Sequence, residues 1–525
     1  MAHTSMSISS EIIRYNNLRQ SAVWHDRIVT VSQLLSRAAH LYGSATALIY
    51  QDESLSFKEL YARACGMSEV LRQKGIGKGD IVLMLIENSI DFYIAYYGVV
   101  QTGAVIAPLN TFLTPQEVEH IVRDAHAQLI ILSDQWSQKL EGSILLSSET
   151  VIFSFLNSQA QKTSANNFIP VWQDPDELVV LLYTSGTTGF PKGVMLSSRN
   201  IITNVIQGLA RMGLPDGLAH KLLGALPLFH SFAQFICVWG ALFIGCSVII
   251  VPKIERAYII KAFKHIPTVV MGVPALFGLF CLLRIQEIEH VRYCVAGGDA
   301  LPDKINAIFA RLFGRKIAVG YGLTEASPLI AAFLEDELVA PGTVGSVCIG
   351  MQVKIINSED GVELNPGQMG ELWVKGDNIM MGYYQAPELT AQVLCDGWLR
   401  TGDSAYINSQ NQLVLVGRLK DLIKHKGIKI YPGEIENIIL NHPQVLQVAV
   451  IPREDVGTGQ VPVAYVKVTK VSPEITEQLH ALCRAKLALY KIPRTIICTT
   501  QDLPRTSLGK IDKKALIAQD KNMAD

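Results

Sequence analysis

The sequence is short of charge, and the charges that it has nearly cancel. Asp, Glu, Lys and Arg make up 18% of the 525 residues, below the figure of about 25% that is typical of globular domains. The 46 basic and 47 acidic residues give a formal net charge of −1, which lacks the electrostatic footprint of a nucleic-acid-binding protein. A hydrophobic content of 49% excludes a disordered chain and predicts large buried cores. The length predicts about two to four domains.

Cysteine pairs and targeting signals are also missing. None of the nine cysteines stands in a Cys-x-x-Cys pair, so the pattern disfavours a zinc site. Their odd number, without a signal peptide, indicates a reducing compartment. The first ten residues lack the basic and apolar segments of a signal peptide, and the last residues match no peroxisomal or retention signal. These absences predict a cytoplasmic protein.

Charge is absent altogether from residues 222–252. Within this window, residues 232–251 are apolar enough and long enough to span a bilayer. The same window also has the pattern of two buried strands, 222–227 and 247–251, with a helix over 232–244 between them. Because a helix of about thirteen residues is too short to cross a bilayer, we predict a buried α/β layer and no transmembrane segment. Peripheral contact with a membrane surface stays open.

Short runs of β-branched and aliphatic residues alternate with helical patterns through the first 400 residues. This alternation is typical of helices layered on largely parallel sheets. A helix is predicted over residues 91–102. The predicted strands cover residues 80–86, 105–109, 128–132, 178–183, 268–271, 291–296 and 316–320.

The chain changes character twice toward its C-terminal end. Short strands with turn signals predict a β-rich subdomain over about residues 342–416. A more charged segment with its own strand–helix alternation follows, and its length of roughly a hundred residues is that of a separate domain. We therefore predict an α/β fold. The N-terminal domain, residues 1–418, contains layered α/β subdomains and the β-rich subdomain, and residues 419–525 form a small α+β C-terminal domain.

Hydroxyl and glycine residues are concentrated in residues 183–193, Tyr-Thr-Ser-Gly-Thr-Thr-Gly-Phe-Pro-Lys-Gly. Glycines let backbone N–H groups approach phosphate oxygens, hydroxyls add donors and a lysine adds positive charge. The spacing does not match a Walker A loop, Gly-x-x-x-x-Gly-Lys-Ser/Thr. The segment predicts a phosphate-binding loop rather than a flexible linker. Its candidate phosphate-binding residues are Thr184, Ser185, Gly186, Thr187, Thr188, Gly189 and Lys192.

Five segments, taken in order, resemble the adenylate-forming superfamily, which comprises acyl-CoA synthetases, luciferases and the adenylation domains of nonribosomal peptide synthetases. The loop at residues 183–193 is the first. The others are residues 321–325 (Tyr-Gly-Leu-Thr-Glu), 401–403 (Thr-Gly-Asp), 417–436 and 504–510 (Pro-Arg-Thr-Ser-Leu-Gly-Lys). The resemblance extends from about residue 34 to residue 516. It implies an enzyme that uses ATP to activate a carboxylic acid as acyl-AMP, releases pyrophosphate and then forms a thioester.

The implied reaction brings two anions together, because a carboxylate attacks the α-phosphate of ATP. The site must therefore supply positive charge and alignment. The resemblance implies that Mg²⁺ bridges the phosphates and is held by Glu325 and Thr184. It also implies that Thr324 donates to phosphate or acyl oxygens. Without the resemblance, Glu325 would be interpreted as a carboxylate at a helix start.

The resemblance also implies contacts to the nucleoside. Tyr321 would stack on the adenine, and Asp403 would accept from both ribose hydroxyls with Arg418 beside it. The alternative interpretation is a core aromatic residue and an ordinary Asp–Arg pair. The remaining implied nucleotide contacts are Gly297, Gly298, Asp299, Ala300 and Gly322.

In this superfamily the C-terminal domain is mobile and rotates about a hinge between two half-reactions. The resemblance implies that Lys510 enters the site for the first step and contacts the carboxylate and the α-phosphate. The hinge falls at Lys420, and after rotation Lys424 and Gly427 would line the tunnel for the incoming thiol. Rotation resolves a conflict, since one pocket cannot both close around pyrophosphate and admit pantetheine. The alternative for these lysines is an ordinary basic surface.

The segment Pro227-Leu-Phe-His-Ser-Phe232 bears on the choice of acid. Adenylation domains that take α-amino acids place an aspartate where this chain has His230, and no carboxylate side chain occurs in residues 222–252. A free amine would stay unpaired in a dry pocket, at a cost of about 1–3 kcal/mol. We therefore expect an acid without an α-amine. The candidate acyl-pocket residues are Phe229, His230, Phe232, Met271, Gly272, Leu323 and Ala326.

The mostly apolar pocket favours a lipophilic acid, and residues 108–115 resemble the medium- and long-chain fatty acid members. We predict a fatty acid–CoA ligase that uses ATP, Mg²⁺ and coenzyme A and is a monomer or a homodimer. Three alternatives stay open. They are an acyl-AMP ligase that loads an acyl carrier protein, an aryl-acid CoA ligase, and a non-catalytic nucleotide-binding member.

Overall fold

The structure is a computed structural model, and it describes most of the chain. The described residues are 2–140, 150–162, 168–185, 191–214, 217–332, 342–426, 428–455, 459–505 and 511–524. Their strands, in chain order, are β1 (Val23–Trp24), β2 (Arg27–Ile28), β3 (Thr46–Tyr50), β4 (Glu53–Ser56), β5 (Ile81–Leu85), β6 (Val105–Pro108), β7 (Leu129–Leu132), β8 (Thr150–Ile152), β9 (Leu178–Ser185), β10 (Pro191–Ser197), β11 (Lys221–Gly224), β12 (Ser247–Ile250), β13 (Val269–Gly272), β14 (Tyr293–Ala296), β15 (Ala318–Gly322), β16 (Leu329–Ala332), β17 (Thr343–Val347), β18 (Gln352–Ile356), β19 (Gly370–Lys375), β20 (Gly382–Tyr383), β21 (Leu394–Cys395), β22 (Trp398–Ile407), β23 (Leu413–Arg418), β24 (Ile423–His425), β25 (Ile428–Ile430), β26 (Val445–Asp455), β27 (Gly459–Val468) and β28 (Thr495–Thr499).

Helices fill the connections between these strands. In chain order they are α1 (Ala2–Ser21), α2 (Val31–Tyr42), α3 (Phe57–Gln73), α4 (Ile90–Gln101), α5 (Pro115–Ala125), α6 (Asp134–Lys139), α7 (Phe153–Lys162), α8 (Ser198–Met212), α9 (Ser231–Ala233), α10 (Ala241–Ile244), α11 (Arg256–Phe263), α12 (Pro274–Leu283), α13 (Asp303–Phe313), α14 (Pro387–Val393), α15 (Pro432–Leu440), α16 (Pro473–Lys486) and α17 (Lys513–Ala524).

The first sheet has the strand order β20-β10-β9-β6-β5-β7-β8. Its β5 pairs in parallel with β6 and β7, and consecutive side chains of β5 enter different cores, as strand geometry requires. Val82 and Met84 lie in the core shared with the second sheet, whereas Leu83 packs in an outer core with Val118 and Ile121 of α5. The strand predicted over residues 80–86 and the helix predicted over residues 91–102 are both confirmed.

The second sheet continues from parallel α/β strands into antiparallel strands. Its order is β18-β19-β22-β23-β17-β16-β15-β14-β13-β11-β12-β3-β4, with β21 beside β22. Leu222 of β11 faces the shared core, and the adjacent Leu223 faces an outer core covered by α11, α12 and α13. Helices α3, α4 and α8 lie between the two sheets, because their buried residues belong to the shared core. This layering confirms the α/β expectation.

The β-rich segment predicted over residues 342–416 does not close on itself. Its strands join the second sheet, because β15 pairs with β16, β16 with β17, and β17 with β23. The exception is β20, which pairs with β10 at the edge of the first sheet. The longest strand of this segment, β22, was not predicted. It contains Thr401, Gly402, Asp403 and Ser404, and these polar residues interrupt the hydrophobic alternation by which a strand is recognised.

The charge-free window forms the predicted helix between two strands. The helix consists of α9, a π-helical turn (Gln234–Gly240) and α10. It connects the parallel neighbours β11 and β12 along the chain. Tyr93 and Tyr97 of α4 donate to the carbonyl oxygens of Cys237 and Val238, at 3.1 and 2.8 Å. The π-helical turn, which was not predicted, is thus held by buried tyrosines. Among the described helices, none combines the length and apolarity that a bilayer crossing requires.

The C-terminal segment has its own sheet and its own core. Its strand order is β25-β24-β27-β26, with β28 in parallel beside β27. Helices α15 and α16 bury Ile435 and Leu479 on one face of this sheet, and Leu516 of α17 packs on the other. The Nζ of Lys304 donates to three carbonyl oxygens of the segment 442–445. The predicted domain boundary at residue 418 stays a prediction.

Candidate active site

The predicted phosphate loop connects two paired strands of the first sheet. Thr184 of β9 and Lys192 of β10 are directly opposite each other in the antiparallel ladder, so both side chains leave the same face of the sheet. The hydroxyl oxygen of Thr184 is buried and has no hydrogen-bond partner among the described residues. Such an atom is costly unless a bound group pairs with it. Ser185 ends β9, and Gly186, Thr187, Thr188 and Gly189 lie outside the described residues.

The hydroxyl of a tyrosine, Tyr383, forms hydrogen bonds with both Lys192 and Glu325. The Nζ of Lys192 donates to the hydroxyl oxygen of Tyr383 at 2.5 Å, and this hydroxyl donates to Oε1 of Glu325 at 2.9 Å. The Nζ also lies 3.8 Å from the centre of the Tyr383 ring, a cation–π distance. The direct distance from Nζ to Oε1 of Glu325 is 3.7 Å. Two predicted site residues, 133 positions apart in sequence, therefore share one cluster.

The charges around Lys192 extend the cluster to the predicted hinge. Burial lowers the pKa of the Lys192 ammonium from its ordinary value, and the negative charge of Glu325 acts in the opposite direction. The cations Lys420 and Arg418 lower this pKa further. Lys420, the residue predicted as the hinge, therefore carries a charge that acts on Lys192.

Glu325 and Thr184 offer the oxygen ligands that Mg²⁺ prefers. The carboxylate of Glu325 keeps 14% of its side chain exposed, and the hydroxyl of Thr184 lacks a partner within the described chain. Mg²⁺ usually keeps several waters and takes one or two protein carboxylates beside the phosphates of a substrate. The residues present therefore fit a magnesium ion shared with a nucleotide.

Asp403 lies at the centre of a second cluster. It is buried on β22 and is paired with Arg418 of β23 in the ladder. Its Oδ1 lies 2.7 Å from Nε of Arg418, and its Oδ2 accepts a short hydrogen bond from the hydroxyl of Tyr321. Burial, followed by the charge of Asp403, raises the pKa of Tyr321 well above its ordinary value. The tyrosine thus stays a donor, and the carboxylate keeps lone pairs for further hydroxyl donors.

The segment predicted to line the acyl pocket is hydrogen-bonded to Thr324, which is predicted to contact phosphate or acyl oxygens. The hydroxyl oxygens of Ser231 and Thr324 are 3.0 Å apart and both residues are buried. Phe229 is buried, and Nδ1 of His230 accepts from the backbone N–H of Phe232 at 3.2 Å. The ring of His230 is thereby tied to its own turn, and Thr324 is held beside it.

The Gly-Gly-Asp loop after β14 touches the same segment. A Cβ built on Gly297 would lie 3.2 Å from the ring of Phe232, so this ring packs over the loop. Gly298 has a φ of +80°, a conformation that favours glycine. Asp299 and Ala300 are exposed, and Oδ1 of Asp299 accepts from the N–H of Ala300. The structure therefore brings the predicted adenine-side loop next to the predicted acyl pocket.

The other predicted acyl-pocket residues surround strand ends of the second sheet. Met271 and Gly272 end β13 and are buried, and Leu323 is half-buried. Ala326 is fully buried, and its carbonyl oxygen accepts from the amide of Asn378 at 2.8 Å. Leu323 precedes the 3₁₀ turn Thr324–Ala326 and Ala326 ends it, whereas Met271 and Gly272 lie two strands away from β15 in the sheet.

The residues predicted for the second half-reaction are placed differently. Lys424 is exposed on β24, and its backbone N–H donates to Oε1 of Gln460 at 3.0 Å. Within the described chain, no hydrogen bond or ion pair joins Lys424 to the cluster of Lys192 and Glu325. Gly427 and Lys510 lie outside the described residues. Their assigned roles stay predictions.

Sequence reasoning missed three residues that organise the site. Tyr383 links Lys192 to Glu325, and Ser231 bonds to Thr324. Asn88 donates to the carbonyl of Leu226 at 2.9 Å and accepts from the N–H of Leu228 at 2.8 Å, which fixes the start of the acyl-pocket segment. The hydroxyl of a tyrosine in an apolar segment usually needs a hydrogen-bond partner when it is buried. This rule was the signal from which a polar contact of Tyr383 could have been predicted.

Gly322→Ala is expected to damage the site. A Cβ at this position would lie 2.1 Å from the carbonyl oxygen of Pro328, which is backbone and cannot turn aside. We expect a loss of about 1–3 kcal/mol in the free energy of unfolding, measured by urea denaturation, together with weaker ATP binding. Gly320→Ala on the same strand is the control, since its Cβ would meet its nearest neighbour at 3.5 Å. Equal effects of the two substitutions would contradict the prediction.

Comparisons with known proteins identify the family to which the chain belongs. The family profile described as AMP-binding enzyme matches residues 35–384, and the profile of the AMP-binding enzyme C-terminal domain matches residues 434–510. A long-chain-fatty-acid–CoA ligase of Bacillus subtilis is 30% identical over 532 aligned positions, which cover 94% of each chain.

Solved structures share the whole fold. ATP-bound MatB from Rhodopseudomonas palustris has a TM-score of 0.87 at 28% identity and covers 95% of this chain and 100% of its own. The o-succinylbenzoate CoA synthetase of Bacillus subtilis, in complex with its acyl-adenylate intermediate, has a TM-score of 0.82 at 27% identity and covers 92% and 97%. The chain belongs to the AMP-binding enzyme family, in its branch of AMP-forming acyl-CoA ligases.

Proposed function

We propose that this enzyme activates a fatty acid as acyl-AMP and transfers the acyl group to coenzyme A. The supporting observation is the bond between Ser231 and Thr324. It fixes a segment without any carboxylate side chain, residues 222–252, against the nucleotide cluster. An acid bound against this segment would meet no carboxylate side chain of the segment that could pair with an α-amine. The name of the Bacillus subtilis relative, a long-chain-fatty-acid–CoA ligase, supports the same acid class.

In the proposed first half-reaction, the groups of the two clusters align two anions. Asp403 accepts from the ribose hydroxyls and, through Tyr321, fixes the aromatic face beside the adenine. Lys192 supplies positive charge to the phosphates, and the hydroxyl of Thr324 donates to oxygens at the α-phosphate or the acid. Mg²⁺, held by Glu325 and Thr184, supplies charge neutralisation of the phosphates when it is bound. The carboxylate oxygen of the fatty acid then forms a bond to the α-phosphorus, and pyrophosphate leaves.

The second half-reaction requires a thiol to reach the acyl carbon. The sulfur of coenzyme A bonds to the acyl carbon and its thiol proton is released to solvent, while AMP leaves with the electron pair of the broken acyl carbon–oxygen bond. Lys420, whose charge lowers the pKa of Lys192, is proposed as the hinge that exchanges Lys510 for the hairpin bearing Lys424 and Gly427. The imidazole of His230, tied to its own turn at Nδ1, is proposed to separate the acid from the thiol path.

A panel of carboxylic acids tests the proposal. With ATP, Mg²⁺ and coenzyme A, we expect AMP, pyrophosphate and acyl-CoA in equal amounts, and the highest kcat/KM for medium- or long-chain fatty acids. Faster turnover of aryl acids, the class suggested by the o-succinylbenzoate relative, would show that the preferred substrate is an aryl acid and not a fatty acid. ADP as the product would exclude the mechanism.

The same panel distinguishes coenzyme A from a carrier protein as the acceptor, and a catalyst from a protein that only binds nucleotide. Acyl-AMP that accumulates in the presence of coenzyme A, and is consumed only by a phosphopantetheinyl carrier protein, would establish the carrier-protein ligase. Nucleotide binding without pyrophosphate exchange on any acid would establish a non-catalytic member.

A further inference from the structure

We propose that the hydroxyl of Tyr383 is a positioning group that keeps the ion pair of Lys192 and Glu325 from closing to a direct charge-assisted hydrogen bond. This inference rests on the proposed function, in which Lys192 binds phosphates and Glu325 binds Mg²⁺. Tyr383 itself touches neither substrate nor product in this assignment. Its role is to hold two opposite charges close together and still leave both available for the incoming magnesium–nucleotide complex.

The hydroxyl of Tyr383 is hydrogen-bonded to both members of the ion pair of Lys192 and Glu325. Tyr383 accepts from Lys192 at 2.5 Å and donates to Glu325 at 2.9 Å, whereas Nζ and Oε1 are 3.7 Å apart. A direct charge-assisted bond between an ammonium and a carboxylate is about 2.7–2.9 Å long. The hydroxyl therefore takes one hydrogen bond from the ammonium and gives one to the carboxylate, while the two charged atoms stay beyond the length of a direct bond.

The position of the Tyr383 side chain is fixed from several sides. β20 pairs with β10, with Tyr383 opposite Val194, and the N–H of Tyr383 donates to Oγ1 of Thr390 at 2.9 Å. The side chain is buried, and Lys192 lies over its ring.

Without the hydroxyl, the ammonium of Lys192 and the carboxylate of Glu325 would move into direct hydrogen-bonding contact. Lys192 and Glu325 keep only 24% and 14% of their side chains exposed, and opposite charges attract more strongly where water is largely excluded. In a direct pair, the ammonium of Lys192 would compete with Mg²⁺ for the carboxylate of Glu325. That carboxylate would in turn compete with the phosphates for the ammonium. The cost would fall on binding of the magnesium–nucleotide complex.

Tyr383→Phe tests the proposal, because it removes one oxygen and keeps the ring against which Lys192 packs. Tyr384→Phe is the matched control. Tyr384 is the next residue in the chain, and its hydroxyl only approaches the carbonyl oxygen of Ala125, at 3.5 Å. Binding of a non-hydrolysable ATP analogue is measured by calorimetry with and without Mg²⁺, so that no assumption about the acid enters. Thermal unfolding of both variants verifies that the fold is kept.

We expect Tyr383→Phe to weaken binding of the magnesium complex about tenfold and binding of the metal-free analogue by less than about threefold. Tyr384→Phe should change neither. In steady-state assays KM for magnesium–ATP should rise with little change in kcat. Combining Tyr383→Phe with Lys192→Met should abolish the additional effect of Tyr383→Phe, because no ammonium remains to collapse onto Glu325.

Three results would overturn the proposal. They are equal binding by the Tyr383 and Tyr384 variants, equal losses with and without Mg²⁺, and an effect of Tyr383→Phe that persists in the Lys192→Met background. The last two would indicate a purely structural role. A wild-type protein that forms no acyl-CoA would refute the proposed function alone, because the binding measurement does not depend on turnover.

Discussion

Lys510→Ala is expected to lower the rate of acyl-AMP formation by about 10²–10³-fold, the usual effect of removing one group that stabilises charge in the transition state. The transfer of the acyl group from supplied acyl-AMP to coenzyme A should stay within about twofold of the wild-type rate. The two half-reactions are measured separately, the first by pyrophosphate exchange and the second by acyl-CoA formation from synthetic acyl-AMP.

The asymmetry follows from the proposed rotation about Lys420. In the first step, positive charge is needed where the carboxylate approaches the α-phosphate, and the resemblance assigns this charge to Lys510. In the second step the anionic attack is over and the thiol needs an open path, so Lys510 has to leave. Lys424 is exposed on its hairpin, and Lys424→Ala should therefore show the opposite bias.

The control for this pair is Lys521→Ala. Lys521 is an exposed lysine of α17, in the same C-terminal segment and outside the proposed site. Its removal should leave both half-reactions unchanged, and any general effect of lost positive charge would show there. If Lys510→Ala slowed both half-reactions equally, the assignment of Lys510 to one step would be wrong.

Local sequence patterns predicted the elements whose side chains all face apolar surroundings. The predicted strands at residues 80–86 and 105–109 and the helix at 91–102 match β5, β6 and α4 closely, because both faces of these strands are buried and the signal is a continuous apolar run. The helix in the charge-free window was predicted for the same reason. The π-helical turn within it was not predicted. Its carbonyl oxygens accept from tyrosines of α4, which lie more than a hundred residues earlier in the chain.

The site was predictable where one residue type carries the chemistry, and not where a contact depends on tertiary structure. Lys192, Glu325 and Asp403 stand in recognisable segments, and the structure places the first two in one cluster. Tyr383 is 191 positions from Lys192, and only the pairing of β20 with β10 brings them together. The joining of the β-rich segment to the second sheet is likewise a long-range pairing that has no local signal.

Asp403→Asn is the second substitution with a large expected effect, because it changes every partner of a buried carboxylate. Asp403 pairs with Arg418 and accepts from Tyr321, and in the proposed function it accepts from both ribose hydroxyls. Hydrogen bonds to a charged group contribute about 1.5–3 kcal/mol, against about 0.5–1.5 kcal/mol for neutral ones. The amide nitrogen of asparagine is a donor only and would face donors.

We expect Asp403→Asn to weaken ATP binding by about 30- to 150-fold, which corresponds to about 2–3 kcal/mol for two weakened bonds. Calorimetric titration with ATP measures this change directly. The free energy of unfolding should also fall, by about 1–3 kcal/mol, because Tyr321 and Arg418 lose their anionic partner. Loss of stability alone would not identify a nucleotide site, so a control with the same structural cost is required.

Glu371→Gln provides this control. Glu371 is a buried carboxylate on the neighbouring strand β19, and it accepts from Trp373 at 3.0 Å and from Arg400 at 3.2 Å. Its side chain is 5% exposed and that of Arg400 is 44% exposed, against 7% and 46% for Asp403 and Arg418. The two substitutions should therefore destabilise the fold by similar amounts, and only Asp403→Asn should weaken ATP binding. If Glu371→Gln weakened ATP binding to the same extent, the effect would come from the sheet and the ribose assignment of Asp403 would be wrong.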